Sequence, residues 1–342
     1  MTDLPTYSVI ILAYNRRQYL LTAVASALDQ SLPRERYEIL VFKNFEDAEI
    51  DAYLARHDVR NLTSEPNARP RTMRTVLDEA RGEVLCFLDD DDVWRREKLA
   101  YVDREFSRDS TLGYFHNGFD VVDDALRPYA RSPFPQPSER LEIRAGDVRS
   151  RPVPASALRI GFNSSSVSVR RGWLAPFLPS FEHREAEVSD AMMLCAALLS
   201  GWTVLADPAK LTLYRYHDSW TNILHYSPDS VGPIADFDTI NLRLLYIIAG
   251  LASGSTIAPL VADDIEYLRF HRSIFVDTVD WRPDPADYVR FLRSGAQQGN
   301  IAPLYLIPLH VLTRISPARA RRAYFRLAEL QRRYSFQGPP AS

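Results

Sequence analysis

The sequence predicts an α/β fold, in which a mostly parallel sheet is flanked by helices and followed by a C-terminal helical region. Two observations indicate this class. Residues 7–115 alternate short apolar runs with helix-spaced apolar residues, which is typical of a parallel sheet covered on both faces. Residues 236–331 then show helical patterns throughout. With 342 residues, 46% of them hydrophobic, the chain can bury a large core.

The elements of the first part each have a local signal. Strands are predicted at 7–13, 37–42, 62–64 and 84–88, and helices at 20–28 and 73–80. A loop with six prolines at 128–154 interrupts this order, and long loops of this kind are often functional lids. After it, the pattern predicts an ordered segment at 164–169, a helix at 188–200, and separate strands at 203–205 and 211–216.

Four consecutive carboxylates, from Asp89 to Asp92, directly follow the apolar run at 84–88. A buried strand that ends in carboxylates places them at the carboxyl edge of the sheet, where open α/β sheets bind ligands. Adjacent carboxylates repel each other unless a cation lies among them, and Mg²⁺ or Mn²⁺ prefers such oxygen ligands. The run therefore predicts a metal and phosphate site. The alternative is a solvated acidic turn that caps a helix at 93–96.

Composition restricts the class of protein. The net charge of −3 argues against nucleic acid as a partner, because such proteins normally carry a basic excess. Only two cysteines occur, Cys86 and Cys195, so we expect no disulfide framework. The N-terminus lacks the charged and apolar regions of a signal peptide. These features predict a cytoplasmic protein.

Two C-terminal stretches raise the question of membrane contact. Residues 244–262 carry no charge and are about as long as a bilayer span. Gly254-Ser255-Thr256 predicts a break between two helices, with Ser255 or Thr256 as the N-cap, so a buried helical hairpin is favoured. Residues 314–333 are basic with apolar residues between, which fits either a solvated helix face or an interfacial helix at the inner face of the cell membrane.

Several elements now form one ordered series. A first strand ends in Ala13-Tyr14-Asn15-Arg16, and the strand at 84–88 ends in the acidic run. Ser189-Asp190 follows on a helix, and Tyr214-Arg215-Tyr216-His217 follows a strand. Over residues 7–225 this series resembles the family 2 glycosyltransferases, inverting enzymes of the GT-A fold, which is a Rossmann-like, mostly parallel mixed sheet flanked by helices. The resemblance implies a nucleotide-sugar donor and bound Mg²⁺ or Mn²⁺.

The resemblance also implies roles for residues around the donor. In the family's DXD motif the first Asp contacts the nucleotide sugar and the last binds the metal, which corresponds to Asp89 and Asp91; Asp90 lies between them, and Asp92 also fits. The end of the first strand, with Ala13, Tyr14 and Asn15, would lie beside the base and ribose. Arg16 would face phosphate or, alternatively, be a solvated charge at a helix start. His217 matches a family His, whose imidazole would bind the metal or touch the diphosphate. The alternative is an exposed or hydrogen-bonded His at a strand end.

The second strand departs from the family pattern. Many members have an Asp pair at its end that helps to hold the base, whereas this chain has Lys43-Asn44. Asn44 can still donate and accept hydrogen bonds at a base edge, while Lys43 brings the opposite charge. Uridine is therefore our first expectation for the base and guanosine the second.

An inverting transfer needs a general base that deprotonates the acceptor hydroxyl. The family places a carboxylate for this at the start of a helix, usually after a Glu, and Ser189-Asp190 matches with Ser in the Glu position. Asp190 is thus the predicted base. The alternative is a plain first-turn carboxylate, which a helix N-terminus favours.

The predicted organisation is a catalytic domain at 1–228, with a nucleotide-sugar half at 1–125 and an acceptor half at 126–228, followed by a helical region at 229–342. The predicted acceptor is a glycan, a polysaccharide or a lipid-linked sugar. Two other functions stay open: a sugar nucleotidylyltransferase, although no glycine follows the first strand, and a nucleotide-sugar-binding protein with little turnover. The oligomeric state is not predicted.

Overall fold

One nine-stranded mixed sheet organises the first part of the chain. The computed structural model describes residues 6–14, 16–63, 73–130, 134, 136–144, 146–150, 153, 163–173, 190–217, 231–276, 281–298 and 300–335. The chain divides into a first unit, residues 1–150 and 157–216, and a second unit, residues 151–156 and 217–342. The predicted boundary at residue 228 lies outside the described residues, so the domain limits stay a prediction.

Within the described part of the chain, the strands all belong to the first unit. They are β1 (Tyr7–Ala13), β2 (Tyr37–Lys43), β3 (Arg60–Thr63), β4 (Val84–Asp89), β5 (Val93–Trp94), β6 (Leu112–Val122), β7 (Leu141–Ile143), β8 (Val167–Arg170) and β9 (Thr203–Arg215). Its helices are α1 (Leu20–Leu28), α2 (Ala48–Arg56), α3 (Met73–Glu79), α4 (Lys98–Arg108), α5 (Asp147–Ser150) and α6 (Asp190–Ser200). The predicted strand at 7–13 and helix at 20–28 agree with β1 and α1.

The strand order is β3-β2-β1-β4-β8-β6-β9-β5, with β7 also paired to β9. The pairs from β3 to β4 are parallel, and β8 runs antiparallel to both β4 and β6. The predicted mixed sheet is therefore confirmed, with four parallel and four antiparallel strand pairs among the described residues. Because β1, β2 and β4 are parallel neighbours, their carboxyl ends meet at one edge of the sheet.

The apolar runs of the sequence form the core that fixes this edge. Val9 and Ile11 of β1 pack in one buried cluster with Cys86 and Leu88 of β4 and with Val24 of α1. Full burial of such a side chain stabilises the fold by about 1.5–3 kcal/mol. Cys86 and Cys195 are both buried.

Three expectations in the first unit were wrong. The predicted strands at 203–205 and 211–216 belong to a single strand, β9. Asp207-Pro208 in its centre has the sequence of a turn, which is why two strands were predicted. The strand continues through it because the pairing with β6 shifts register near Asn117 and Gly118. Strand β6 was not predicted, because His116 and Asn117 interrupt its apolar pattern. Residues 93–94 form β5 rather than the start of a helix at 93–96.

The polar residues inside β6 are buried because α4 supplies a partner. Lys98 is fully buried, and its ammonium group donates to the Asn117 side-chain oxygen and, at 3.4 Å, to the Ser166 carbonyl. The Asn117 amide donates in turn to the Gly118 carbonyl and the Thr212 hydroxyl. Burial lowers the pKa of Lys98 to about 7. This network ties α4, β6 and β9 together behind the sheet edge.

The second unit consists of helices in its described part. They are α7 (Val231–Leu251), α8 (Ala258–Phe275), α9 (Pro285–Gln298), α10 (Ala302–Thr313) and α11 (Pro317–Ser335). A buried chain of hydrogen bonds joins three of them: His271 of α8 contacts Asp238 of α7 at 2.7 Å and the Tyr324 hydroxyl of α11 at 2.8 Å. The predicted C-terminal helical region is confirmed.

The predicted break near Gly254 separates α7 from α8. Gly254 has a φ of +77°, a conformation that favours glycine after a helix. The predicted N-cap was wrong: Ile257 precedes α8 and no side chain caps it, while the Ser255 hydroxyl donates to the Ala252 carbonyl. The hairpin is also not fully buried, since Tyr246 and Leu251 are exposed. Among the described residues, no helix has the length and apolar character needed to span a bilayer.

Lys98 gives the first unit a pH dependence with a defined sign. An unfolded lysine has a pKa of about 10.4, so between about pH 7 and pH 10 the unfolded chain binds more protons at this residue than the folded chain does. The contribution of Lys98 to the free energy of unfolding therefore rises with pH in that range. We expect the free energy of unfolding of wild type to rise relative to that of Lys98→Met by up to about 1.4 kcal/mol per pH unit between pH 7 and pH 9.

Urea unfolding at pH 6, 7, 8 and 9 measures this difference. Lys210→Met is the matched control, because the Lys210 side chain is half exposed and pairs with Asp120 at the surface; its difference from wild type should stay constant. Parallel pH curves for wild type and Lys98→Met would contradict the burial argument.

Candidate active site

The predicted donor-binding residues gather at the carboxyl edge of β1, β2 and β4. Ala13 pairs with Lys43, and Leu12 pairs with Asp89, so the ends of three strands lie side by side. Tyr14 follows β1 and is exposed, whereas Asn44 follows β2 and is buried. Asn15 lies outside the described residues. The edge thus combines an exposed aromatic ring, an amide and carboxylates.

Three of the four consecutive carboxylates converge at this edge. Asp89, Asp91 and Asp92 each offer an oxygen, and these atoms lie within 4.8 Å of one another. Oδ2 of Asp92 is buried and has no hydrogen-bond partner among the described residues. A buried, unpaired carboxylate oxygen is costly, and a hard divalent cation accepts such oxygens as ligands. The three carboxylates therefore fit Mg²⁺ or Mn²⁺.

The remaining carboxylate of the run has a different partner. Asp90 is buried and forms an ion pair with the Arg16 guanidinium at 2.5 Å. A second nitrogen of Arg16 lies 2.6 Å from Asp91 Oδ2. Arg16 thus follows β1, crosses to the acidic run and remains partly exposed at the same edge. It can hold the run in place and still present positive charge to an anionic ligand.

A short serine turn holds Asp89 from the other side. The Ser164 hydroxyl donates to Oδ2 of Asp89 at 2.7 Å, and the Asp89 backbone N–H donates to the Ser165 hydroxyl at 2.9 Å. The turn, Ser164–Ser166, leads into β8, which pairs with β4. Its position beside Asp89 is therefore set by the sheet itself.

The serine turn is anchored in the core by its own carbonyl groups. The Ser165 carbonyl accepts from the Trp94 indole N–H at 2.8 Å and from the Thr212 hydroxyl at 3.1 Å. Lys98 donates to the Ser166 carbonyl, as described above. Asn163 begins the turn with a φ of +80°, and its side chain accepts from the Ser165 N–H. These bonds keep the hydroxyl groups directed at Asp89.

Arg215, at the end of β9, holds the second half of the acidic run. Its backbone N–H donates to Oδ1 of Asp92 at 2.8 Å, and its Nε donates to the Asp91 carbonyl at 2.7 Å. Its guanidinium also lies 4.4 Å from the centre of the Tyr19 ring. Because Oδ1 of Asp92 is taken by this backbone bond, Oδ2 is left for a ligand.

Burial and charge repulsion both act on the pKa values of the run. Burial, followed by repulsion from Asp91, raises the pKa of Asp89 above its ordinary value, and burial with repulsion from Asp91 and Asp89 raises the pKa of Asp92. Burial also raises the pKa of Asp90, although Arg16 opposes this. A positive ion among these groups would relieve the repulsion.

Lys43 does not bring its charge to the open edge. Its side chain is fully buried, where its ammonium group donates to the Phe45 carbonyl at 2.6 Å and lies 2.9 Å from Asp51. We expected the positive charge of Lys43 to lie beside the base. This expectation is wrong, because the Lys43 side chain is buried and Asp51 on α2 neutralises its charge. Asn44 remains as the polar side chain at the end of β2.

Two predicted site residues are placed only by their backbone position. Asp190 is the first residue of α6, a helix that packs on β6 and β9, as expected for a residue at a helix start; its side chain lies outside the described part. His217 follows β9 by two residues and is buried. Neither role is tested by these positions, so both stay predictions.

Sequence reasoning did not identify the supporting residues Ser164, Ser165 and Arg215. The serines lie about 75 positions after Asp89 in the chain, and no local pattern links them to it. Arg215 did have a signal, since it belongs to the Tyr214-Arg215-Tyr216-His217 series. Its hydrogen bonds to Asp91 and Asp92 depend on its position at the end of the long strand β9. The sequence predicted two short strands there instead.

Comparison with known proteins agrees with this geometry. The model of the Glycosyl transferase family 2 matches residues 8–155. A putative teichuronic acid biosynthesis glycosyltransferase of Bacillus subtilis (strain 168), TuaG, is 27% identical over 124 residues, which is 34% of this chain and 48% of that protein. The aligned part therefore spans about half of that relative.

Solved structures share the fold at low sequence identity. Residues 1–349 of S. aureus TarS superpose with a TM-score of 0.53 and 14% identity, covering 96% of this chain and 91% of that one. The same protein in complex with UDP-GlcNAc gives a TM-score of 0.54 at 14% identity, covering 96% and 92%. The predicted GT-A fold is thus confirmed. Residues 8–155 thus match the Glycosyl transferase family 2 model, and together these likenesses support a glycosyltransferase with this fold.

Proposed function

We propose that this glycosyltransferase is an inverting, metal-dependent enzyme. It would move a sugar from a nucleotide-sugar donor to a glycan, a polysaccharide or a lipid-linked acceptor. The observation that carries the proposal is the convergence of Asp89, Asp91 and Asp92 at the carboxyl edge beside the end of β1. This arrangement suits a divalent cation and the diphosphate that such a cation binds.

Asp91 is the metal ligand that we propose first. Asp92 contributes its buried Oδ2, and Asp89 either joins them or contacts the donor, as the DXD resemblance implies. His217 is proposed as a further ligand. Bound Mg²⁺ or Mn²⁺ would supply positive charge that stabilises the diphosphate as it leaves. Arg16 would add charge at the same edge, because its guanidinium is only partly buried.

The donor nucleotide would lie along the ends of β1 and β2. Tyr14 is exposed at the end of β1, and Ala13 and Asn15, its neighbours in the chain, are proposed beside the base and ribose as the resemblance implies. Asn44 offers a donor and an acceptor to a base edge. Asp90 would act through Arg16, which it positions by an ion pair. UDP is the nucleotide proposed first and GDP the second; the TarS fold relative was solved with UDP and with UDP-GlcNAc.

The transfer step requires a base on the acceptor side of the sugar. In the proposed mechanism, Asp190 accepts the proton of the acceptor hydroxyl while the hydroxyl oxygen attacks the anomeric carbon. The bond from that carbon to the diphosphate oxygen breaks, and the nucleoside diphosphate leaves with the electron pair. Attack from the face opposite the leaving group inverts the anomeric centre. The start of α6 suits a carboxylate in this role.

The acceptor is proposed by class only. The curated relative TuaG is described as a putative teichuronic acid biosynthesis enzyme, which favours a polymeric or lipid-linked acceptor over a small free sugar. The basic C-terminal helices support peripheral contact with the inner face of the cell membrane. Nucleic acid is not proposed as a partner.

The competing proposal is a nucleotide-sugar-binding protein with little turnover. Donor hydrolysis and transfer separate the two, since a binding protein holds the donor but releases no nucleoside diphosphate. The nucleotidylyltransferase alternative has lost its support, because the family match and the fold relatives are glycosyltransferases and the loop after β1 carries no glycine.

Asp91→Asn should weaken Mn²⁺ binding at least about tenfold, because a ligand charge disappears and loss of even an outer-shell partner costs that much. Isothermal titration of Mn²⁺ in the presence of UDP measures this without relying on turnover. Asp78→Asn is the control, since Asp78 is an exposed carboxylate on α3. Equal Mn²⁺ affinity in Asp91→Asn and Asp78→Asn would contradict the metal assignment.

Asp190→Asn should preserve donor binding and lower transfer by about 10²–10⁴-fold, the usual contribution of general base catalysis. Donor affinity and single-turnover transfer would be measured on the same preparation. Asp147→Asn, at the start of the short helix α5, serves as a control for a helix-start carboxylate. Near wild-type transfer by Asp190→Asn would move the base role to Glu185 or Glu187.

A further inference from the structure

Helix α10 has no charged side chain of its own, yet one side of it is exposed. It carries no Asp, Glu, Lys or Arg over its 12 residues. One side packs in the core of the second unit through Ala302, Leu306 and Leu309. A helix that is hydrophobic all round is normally buried. The exposed side of α10 therefore lacks the polar residues that a water-facing surface would have.

The exposed residues fall on a single line. Leu304, Pro308 and Val311 are spaced by three or four positions, which places them on one side of α10. Ile301, just before the helix, and Ile315, just after it, continue the same spacing. We call this set the outer face. Its members are strongly exposed: Ile301 69%, Leu304 68%, Val311 47% and Ile315 77%. A continuous exposed apolar face of this kind marks an interaction surface.

Arginines border one end of the outer face. Arg314 lies next to Ile315, and Arg319 and Arg322 are exposed on the first turns of α11. Residues 301–328 contain five arginines and no Asp or Glu, in a chain whose net charge is −3. No side-chain hydrogen bond or ion pair engages Arg314, Arg319 or Arg322 within the described part of the chain. The surface is thus apolar in its centre and positive at its border.

We propose that the outer face and its bordering arginines dock on an anionic lipid surface. An apolar strip with cationic residues beside it matches the acyl boundary and the phosphate groups of such a surface. At 1.5 Å per residue, the 12 residues of α10 extend about 18 Å, against a hydrocarbon thickness of about 30 Å. The helix therefore lies along the interface and does not cross it.

A second copy of the chain suits this surface less well. Pairing two outer faces would bring the same arginines of both copies towards one another, with no carboxylate among residues 301–328 to offset them. Like charges at an interface are unfavourable. The inference deepens the proposed function, because a lipid-bound enzyme would meet a lipid-linked acceptor at its own surface.

Vesicle flotation with the full chain tests the proposal. The vesicles would be phosphatidylglycerol with phosphatidylcholine, or phosphatidylcholine alone, at low and high salt. We expect binding to the anionic vesicles at low salt, and at least about tenfold less binding to neutral vesicles or at 0.5 M salt, where charge attraction is screened. The double variant Leu304→Asp with Val311→Asp should lose binding by at least about tenfold.

The matched control is Val289→Asp with Leu292→Asp, which changes two exposed apolar residues of α9 and should leave binding intact. A second variant, Arg314→Glu with Arg319→Glu, should also lose binding without touching the apolar strip. Circular dichroism would confirm that each variant is folded.

Three results would overturn the proposal: no binding by the wild-type chain, equal loss in the α9 control, or a dimer in light scattering that the α10 variant disperses while vesicle binding is absent. The last result would make a second copy the occupant. The assay contains neither donor nor metal, so its failure is distinguishable from failure of the proposed transferase. Asp91→Asn should bind vesicles like wild type.

Discussion

Repulsion among four adjacent carboxylates is the constraint on which the rest of the first unit depends. Asp89 to Asp92 occupy a largely buried sheet edge, where water cannot screen their charges well. Arg16 from β1, Arg215 from β9 and the serine turn before β8 each hold a different member of the run. The strand order brings all three to one place, because β8 pairs with β4 and β6 joins β8 to β9.

The residues that hold the acidic run do not occupy all of its carboxylate oxygens. Hydrogen bonds from Ser164 and from the Arg215 backbone engage one oxygen each of Asp89 and Asp92, and Oδ2 of Asp92 stays without a described partner. Buried charge of this kind is costly and is typical of functional sites. The second unit has a comparable feature. Helix α10 exposes apolar side chains to water, which is unfavourable unless a partner of matching chemistry covers them.

Local sequence patterns predicted the elements that local physics determines. β1 and β4 are uninterrupted runs of strand formers, α1 has clear helical spacing, and the acidic run has to follow β4 along the chain. Predictions were wrong where distant residues decide the structure. β6 and β9 bury polar residues such as Asn117 and Asp207 because Lys98 and Arg140 come to them from elsewhere. The role of Ser164 was likewise invisible, since it depends on sheet pairing.

The central proposal is that Asp91, together with Asp92 or Asp89, holds the metal that binds the donor diphosphate. A crystal of the protein grown with Mn²⁺ and UDP tests it most directly, through the anomalous signal of manganese. The account predicts one strong peak in contact with Asp91 and with at least one of the other two carboxylates, with the diphosphate on its open side. A nucleotide bound at this edge without manganese, or manganese bound away from these carboxylates, would contradict it.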